Sequence, residues 1–436
     1  MNDMSIVRRL CLCFVMLLTG VGLFSDEEGQ PEGRLGSDFE VGLVAETAGI
    51  SIDGGTYTDI SIQPYYTYYK FGIALDIRLR LDEFGDWVPG VWDTWQSWVS
   101  RIYEIRYGEK GEAFYLRFGK VKDIMLGSGL LVSNYSNMVN YPAINKTGLG
   151  FDFKFRDQYI DLGLETFADN IFDLDIVGGR VYSNLPAPKP LGNLQLGITY
   201  VLDSDPYDPA PTPERPYDFG DGSDTSLQIH GFGTDVSYPF VDQETLKLRT
   251  YLDLGMIFEK GFGLAVGTSG SFTVGVFYFP YVVELRYMGA GFFPGYFNEH
   301  YDNRRAKQYQ VLDEITSGYG QYHIRVGTTV FNTVGLSLGV EESFTDYRIL
   351  PEFIAALEVK YRAFAGALTW TREDYARFAD LITYELGKSS IQGEASWRIT
   401  ERTHLLWDLK KTYKIDSYGH PEPVFNTTLS IRTVLR

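Results

Sequence analysis

Hydrophobic and polar residues alternate one by one along much of this chain. In FGIALDIRLRLDE, residues 71–83, one side carries Ile73, Leu75, Ile77, Leu79 and Leu81 and the other Ala74, Asp76, Arg78, Arg80 and Asp82. Side chains point to opposite faces of a strand with period two, so this stretch predicts a strand with one aliphatic and one ionised face. The pattern recurs. Phe114, Leu116 and Phe118 alternate with Tyr115 and Arg117, and Phe151, Phe153 and Phe155 with Asp152, Lys154 and Arg156. Leu246, Leu248, Leu252, Leu254, Met256 and Phe258 face away from Lys247, Arg249 and Asp253. Gly261 to Val283 is uncharged for longer than a bilayer requires of a helix, but its glycines, β-branched residues and Pro280 predict paired strands instead. No helical periodicity of comparable quality is present.

Turn-like pieces such as Asp53-Gly54-Gly55 and Gly108-Glu109-Lys110-Gly111 alternate with long irregular stretches near 84–98, 122–147, 203–225 and 288–318. A sandwich has no reason to gather its long loops at one end, whereas a membrane barrel with short periplasmic turns and long extracellular loops does. The N-terminus agrees. Arg8-Arg9 precede an apolar run from Leu10 to Phe24 that ends at Ser25, which predicts a secretory signal over 1–25, then a polar tether over 26–37. Both cysteines, Cys11 and Cys13, lie inside that signal, too early for a lipidation site, so the exported chain is expected to hold no disulfide and no thiolate metal site. Thirty-one Tyr, 29 Phe and 46 Gly suit interface belts and barrel bends. The net charge of −18 excludes a nucleic-acid partner, which calls for a basic stripe. The expected fold is therefore all-β: a transmembrane antiparallel barrel over 38–436, with about 16–20 strands and an even number of them. Charges such as Asp76 and Arg78 would face a watery lumen, since at the lipid midplane each would cost roughly 2–4 kcal/mol.

The segment Tyr115-Leu116-Arg117-Phe118-Gly119-Lys120, with Leu126-Gly127-Ser128-Gly129 and Asn134-Tyr135-Ser136-Asn137 after it, resembles the strand–loop junctions of large porins. At the level of architecture the chain resembles the porin-like outer-membrane β-barrel proteins of Gram-negative-type bacteria. That resemblance implies export to the outer membrane, lipids and the barrel assembly machinery as partners, and passive diffusion of small hydrophilic solutes or ions. It leaves a homotrimer open. Members commonly finish on an aromatic residue; here the last strand, from Phe425, ends on Leu435-Arg436.

The inward charges are the leading candidates for function. Asp76, Arg78, Arg80, Glu104, Arg106, Arg117, Lys154, Arg156, Asp161 and Glu165 could set a transverse field that orients polar solutes, or they could pair across strands and only hold the wall. On this reading Arg78→Ala spares assembly and alters ion preference, whereas arginine at Leu75 or Ile77 blocks assembly. Trp87, Trp92, Trp95 and Trp98 fit an interfacial belt, a sugar-stacking platform or a short amphipathic helix in the interface. The acidic, proline-rich stretch from Asp203 to Asp224 reads as a solvated surface loop and does not match a calcium loop. The loop from Phe292 to Arg305 would constrict the barrel if folded in, or form a surface epitope if folded out. None of the five histidines sits in a catalytic frame, so no enzyme, metal or cofactor is expected. A non-conducting barrel that displays its loops for adhesion or ligand binding is the alternative function.

Overall fold

The computed structural model describes residues 39–435 apart from 53–54, 89–91, 93, 139–140, 142–144, 158–159, 186–192, 207–226, 345–350, 374–388 and 416–420. The expected signal and tether and most of the acidic stretch thus lie outside the described residues. The first strands are β1 (Phe39–Ile52), β2 (Gly55–Tyr68), β3 (Phe71–Leu75), β4 (Ile77–Leu81), β5 (Ile102–Tyr107), β6 (Phe114–Gly119), β7 (Ile124–Leu126) and β8 (Val132–Tyr135). There follow β9 (Gly148–Arg156), β10 (Asp161–Ala168), β11 (Ile176–Asn184), β12 (Gln195–Asp203), β13 (Ile229–Asp242), β14 (Leu246–Ile257), β15 (Gly261–Val274) and β16 (Phe277–Met288). The last are β17 (Phe297–Asn298), β18 (Tyr319–Val330), β19 (Val334–Ser343), β20 (Glu352–Tyr361), β21 (Phe364–Glu373), β22 (Ser389–Arg398), β23 (Thr403–Ile415) and β24 (Pro421–Val434). Among the described residues two helices, α1 (Trp95–Val99) and α2 (Tyr301–Glu314), lie in connections.

Of these strands, 21 form one antiparallel sheet that closes on itself through β1 and β24. Because β3 and β4 are two halves of one stave, both paired with β2, the barrel has 20 staves. Closure removes the free edges that an open sheet would expose. The uncharged stretch from Gly261 is indeed a hairpin, β15 with β16, joined at Val274 and Phe277. The strand ends from which β4, β6, β12, β16 and β21 run into their long connections all fall at one end of the barrel, and pieces as short as 69–70, 275–276 and 362–363 join strands at the other.

The outer face carries exposed aliphatics such as Leu254, Val266, Leu285, Val326 and Leu336. At the short-turn end Phe39, Tyr68, Tyr107, Phe114, Tyr361 and Trp397 stand exposed, and at the long-loop end Tyr200, Phe258, Phe262 and Tyr287. An apolar band between two aromatic girdles is the surface a bilayer requires. The chain is thus a porin-like β-barrel in architecture. Among the described residues no helix is long and apolar enough to cross a membrane.

Two of the long connections turn into the barrel. Connection 120–147 leaves the wall just after Gly119 (φ 119), and connection 289–318 turns at Gly291 (φ 73). A Cβ on either glycine would run into a backbone carbonyl oxygen, that of Tyr103 or Lys260. Inside, β7, β8 and β17 form a small second sheet, with Phe297 parallel to Val132 and Asn298 to Ser133. The apolar side of these insertions, including Leu130, Leu131, Phe292, Phe297 and Tyr301, joins the one buried hydrophobic cluster described. Its seat is a stretch of wall without side chains: Gly231, Gly233, Gly255 and Gly263 lie directly beneath Phe297, Leu131 and Phe292. These strand glycines make room for the insertions.

Candidate functional site

The two insertions fill one side of the lumen and leave a cavity of about 1430 Å³ between themselves and the wall from β13 to β22. Loop residues Ser133, Asn298 and His300 line one side, and Arg249, Glu284 and Arg325 belong to the other. The loop from Phe292 to Arg305, for which the sequence allowed two directions, is folded into the barrel.

Helix α2 is tied down at its first turns. Arg305 donates to Asp175 at 2.8 Å and to Asp203 at 2.9 Å, and the Tyr301 hydroxyl donates to Asp203. Lys146 of the other insertion reaches Asp169 at 3.3 Å and Asp302 at 3.4 Å. Tyr135 donates to Asp302 at 3.1 Å. Burial beside Asp302 and Asp175 pushes the Asp169 carboxyl up to about 8, against the pull of Lys146. Burial likewise raises Asp175, with Arg305 opposing. Buried pairs of this kind are costly to break because one partner is left charged and unsolvated. Asp203 and Asp205, the described start of the acidic stretch, are buried, and Asp203 acts as an anchor.

The candidate charges named from the sequence mostly pair with one another. Asp76, Arg78 and Arg80 are buried together. Arg78 bonds Glu46 at 2.7 Å, Asp76 at 3.0 Å and Tyr141 at 3.0 Å, and Arg80 bonds Asp59 at 2.8 Å. Ser61 and Tyr141 also donate to Asp76. Glu104 lies between Arg106 (3.1 Å) and Arg117 (2.9 Å). Glu165 meets Arg180 at 3.4 Å, and Arg180 also takes Asp235 at 2.6 Å. Lys154 donates to the Gly111 carbonyl at the short-turn end. There, too, Arg156, 77% exposed, pairs with Asp161.

Charges without an ion-pair partner lie elsewhere on the wall. Arg249 bonds only neutral groups, Ser237 at 2.6 Å and Gln195 at 2.9 Å, and Arg325 has an Nε with no hydrogen-bond partner. Neither has a carboxylate within 4.0 Å among the described residues. Both occupy one cross-strand row, Arg249–Ser269–Val282–Arg325. Three strand spacings separate them, about 14 Å. A second row, Glu358–Ala367–Glu394–Asp408, runs across β20 to β23. Its three carboxylates form no ion pair among the described residues. By strand alternation from cavity-lining Ala356 and Gln392 they face the lumen. Arg249 was legible as an inward residue of its strand. That it is unpaired depends on register, which no alternation pattern reveals.

The four tryptophans gather at the long-loop end. Trp87 bridges to Leu81, Trp95 and Trp98 belong to α1, and Trp92 packs edge-on against Trp98 at 4.8 Å.

No protein-family model and no curated protein matches the chain. Among solved structures it is similar to the Pseudomonas aeruginosa OccK9 (OpdG), at 12% identity and TM-score 0.39, over 91% of this chain and 99% of that one. It is also similar to P. aeruginosa OccK2 (OpdF) solved in complex with glucuronate, at 9% identity and TM-score 0.37, over 92% and 99%. A BenF-like porin from Pseudomonas fluorescens Pf-5 aligns at 9% identity and TM-score 0.38, over 91% and 99%. The functional reading below rests on this chain's own geometry.

Proposed function

We propose that the chain is an outer-membrane channel for passive diffusion of small hydrophilic solutes and ions, narrowed by its two inserted connections. The cavity beside α2 carries this reading: the insertions occupy one side of the lumen and leave about 1430 Å³ along the other. Solutes would pass between α2 and the wall, where the cationic row of Arg249 and Arg325 and the anionic row of Glu358, Glu394 and Asp408 supply a transverse field. Charges already matched by a neighbour contribute little at a distance; the unmatched ones dominate the potential that a solute meets. The export signal, the bilayer partner and the assembly machinery belong to the same proposal.

Planar-bilayer recording of the refolded barrel tests it. Stepwise conductance is expected, and it should rise in Arg305→Ala, which frees α2 from Asp175 and Asp203. A heat-modifiable, folded barrel that conducts at no voltage would overturn the channel reading.

A further inference from the structure

The wall has a low place. Strands β5 and β6 have 6 residues each, whereas crossing a bilayer at a tilt takes about 9–11. Of the two halves of the stave before it, β5 pairs with β3 and not with β4, so the far edge of β4 lacks the neighbour that a complete stave would supply. Substitutes occupy that edge. The chain folds back so that Trp87 bridges Leu81, and the Val88 amide donates to the Arg80 carbonyl at 3.2 Å. The Arg78 carbonyl accepts from the Arg101 guanidinium, also at 3.2 Å, and the Asp76 amide donates to the Arg101 carbonyl at 2.6 Å. Arg101 stacks on Trp92 at 3.9 Å, and Trp92 in turn supports Trp98.

Helix α1 lies over the ends of the short strands. Thr94 caps it in a reciprocal capping box with Ser97. Ser100, at its far end, bonds Thr147 at the root of β9 at 3.1 Å, and Trp95 meets Phe172 beyond β10 edge-on at 5.5 Å. The helix is therefore held firmly from beneath. Its tryptophans and the large side chains beside it nonetheless point away from the protein: Trp95 is 67% exposed and Trp98 61%, with Trp87 60% and Phe84 81% in the preceding turn and Leu174 56% beyond β10. Trp87 shares the outward face of its cross-strand partner Leu81, so this aromatic patch continues the lipid-facing wall.

We propose that α1 and the 82–88 turn form a shelf that docks into the headgroup–acyl boundary of the leaflet at the long-loop end and restores the apolar height missing above β5 and β6. Tryptophan suits that depth, with an apolar ring and a polar edge. A helix held flat by its contacts with the rim presents such rings in the interface plane. The bilayer is the one occupant that the continuity with Leu81 and the lipid face selects.

The test uses the full barrel in liposomes. The emission of Trp95 and Trp98 is taken as the difference between wild type and Trp95→Phe/Trp98→Phe. Lipids brominated near the headgroup should quench this difference emission at least twofold more than aqueous iodide does. Iodide quenching without a lipid effect would place the shelf in water and overturn the proposal. Shielding from both quenchers, together with cross-linked dimers, would give the surface to a second copy and also overturn it. If the double variant does not fold, Phe84→Trp carries the same comparison at the tip of the turn. Conductance is not read, so a closed or open lumen leaves the result unchanged.

Discussion

Two groups of inward arginines look alike in the sequence and differ in the fold. Arg78 and Arg80, on β4, are buried in a lattice of Asp59, Asp76, Glu46 and Tyr141. Arg249 and Arg325, on β14 and β18, face the cavity with no carboxylate in reach. In both places an arginine alternates with aliphatic residues on a strand. Register makes the difference: it sets Asp59 directly opposite Arg80, but Ser269 opposite Arg249 and Gly339 opposite Arg325. A guanidinium with a carboxylate neighbour is wall. One with serine or glycine beside it faces the cavity unmatched.

The largest expected effect breaks the wall side of this comparison. Asp59→Ala removes the carboxylate that Arg80 holds at 2.8 Å and Arg78 at 3.5 Å, both arginines being buried. Leaving such charges unmatched costs about 3–5 kcal/mol. The temperature at which the folded band is lost in heat-modifiability gels should fall sharply. Asp408→Ala, at an exposed carboxylate without an ion-pair partner, should stay within about 0.5 kcal/mol of wild type. Equal losses at the two sites would end the distinction. The same burial changes the expectation for Arg78→Ala: the lattice now predicts a loss of stability where alternation alone predicted a change of ion preference.

A smaller effect concerns pH. Lys120, at the root of the first insertion beyond the end of β6, is buried and donates to Asn145 and to the Lys146 carbonyl at 2.5 Å. Burial pushes its ammonium from 10.5 down to about 7; Asp76 opposes the shift, and Arg78 and Arg101 add to it. The charged form is therefore disfavoured in the folded barrel. The penalty is fully present below pH 7 and fades as the pH rises from 7 towards 10.5. Between pH 7 and 8.5 the barrel should gain on the order of 2 kcal/mol from this group. Lys120→Met should lose that part of the pH dependence in the same gels. An unchanged slope would show that Lys120 is solvated.

What the alternation pattern revealed and what it hid follow from the same physics. Lipid tolerates no charge and the lumen tolerates many, so the alternation of strands, the hairpin after Gly261 and the one-sided long loops were all readable. Helix α2 was not. Residues such as Arg304, Lys307, Gln308 and Gln310 line the watery cavity, so the helix has no apolar stripe for a periodicity to detect. The seat formed by Gly231, Gly233, Gly255 and Gly263 was equally hidden, because a glycine in a strand announces neither a bend nor an arriving side chain. The short α1 among the tryptophans was one of three readings, and only its contacts with Arg101, Thr147 and Phe172 fix its place.

The smallest effect sharpens the cavity side. Arg249→Gln and Arg325→Gln each remove a charge while keeping a polar, hydrogen-bonding side chain, and neither strands a buried carboxylate. Stability should therefore hold. A permeating ion within several ångströms of such a charge, in partly screened lumen water, feels about 0.25–0.5 kcal/mol, of opposite sign for anion and cation, so each change should lower the anion-to-cation permeability ratio roughly two- to fivefold. Reversal potentials across a salt gradient read this directly. Glu394→Gln should move the ratio the other way, because Glu394 belongs to the opposite row. Glu104→Gln should have little effect, since its charge is already held by Arg106 and Arg117. If Glu104→Gln moved selectivity as far as Arg249→Gln, pairing would no longer separate the wall from the filter, and the field in the lumen would have to be counted charge by charge.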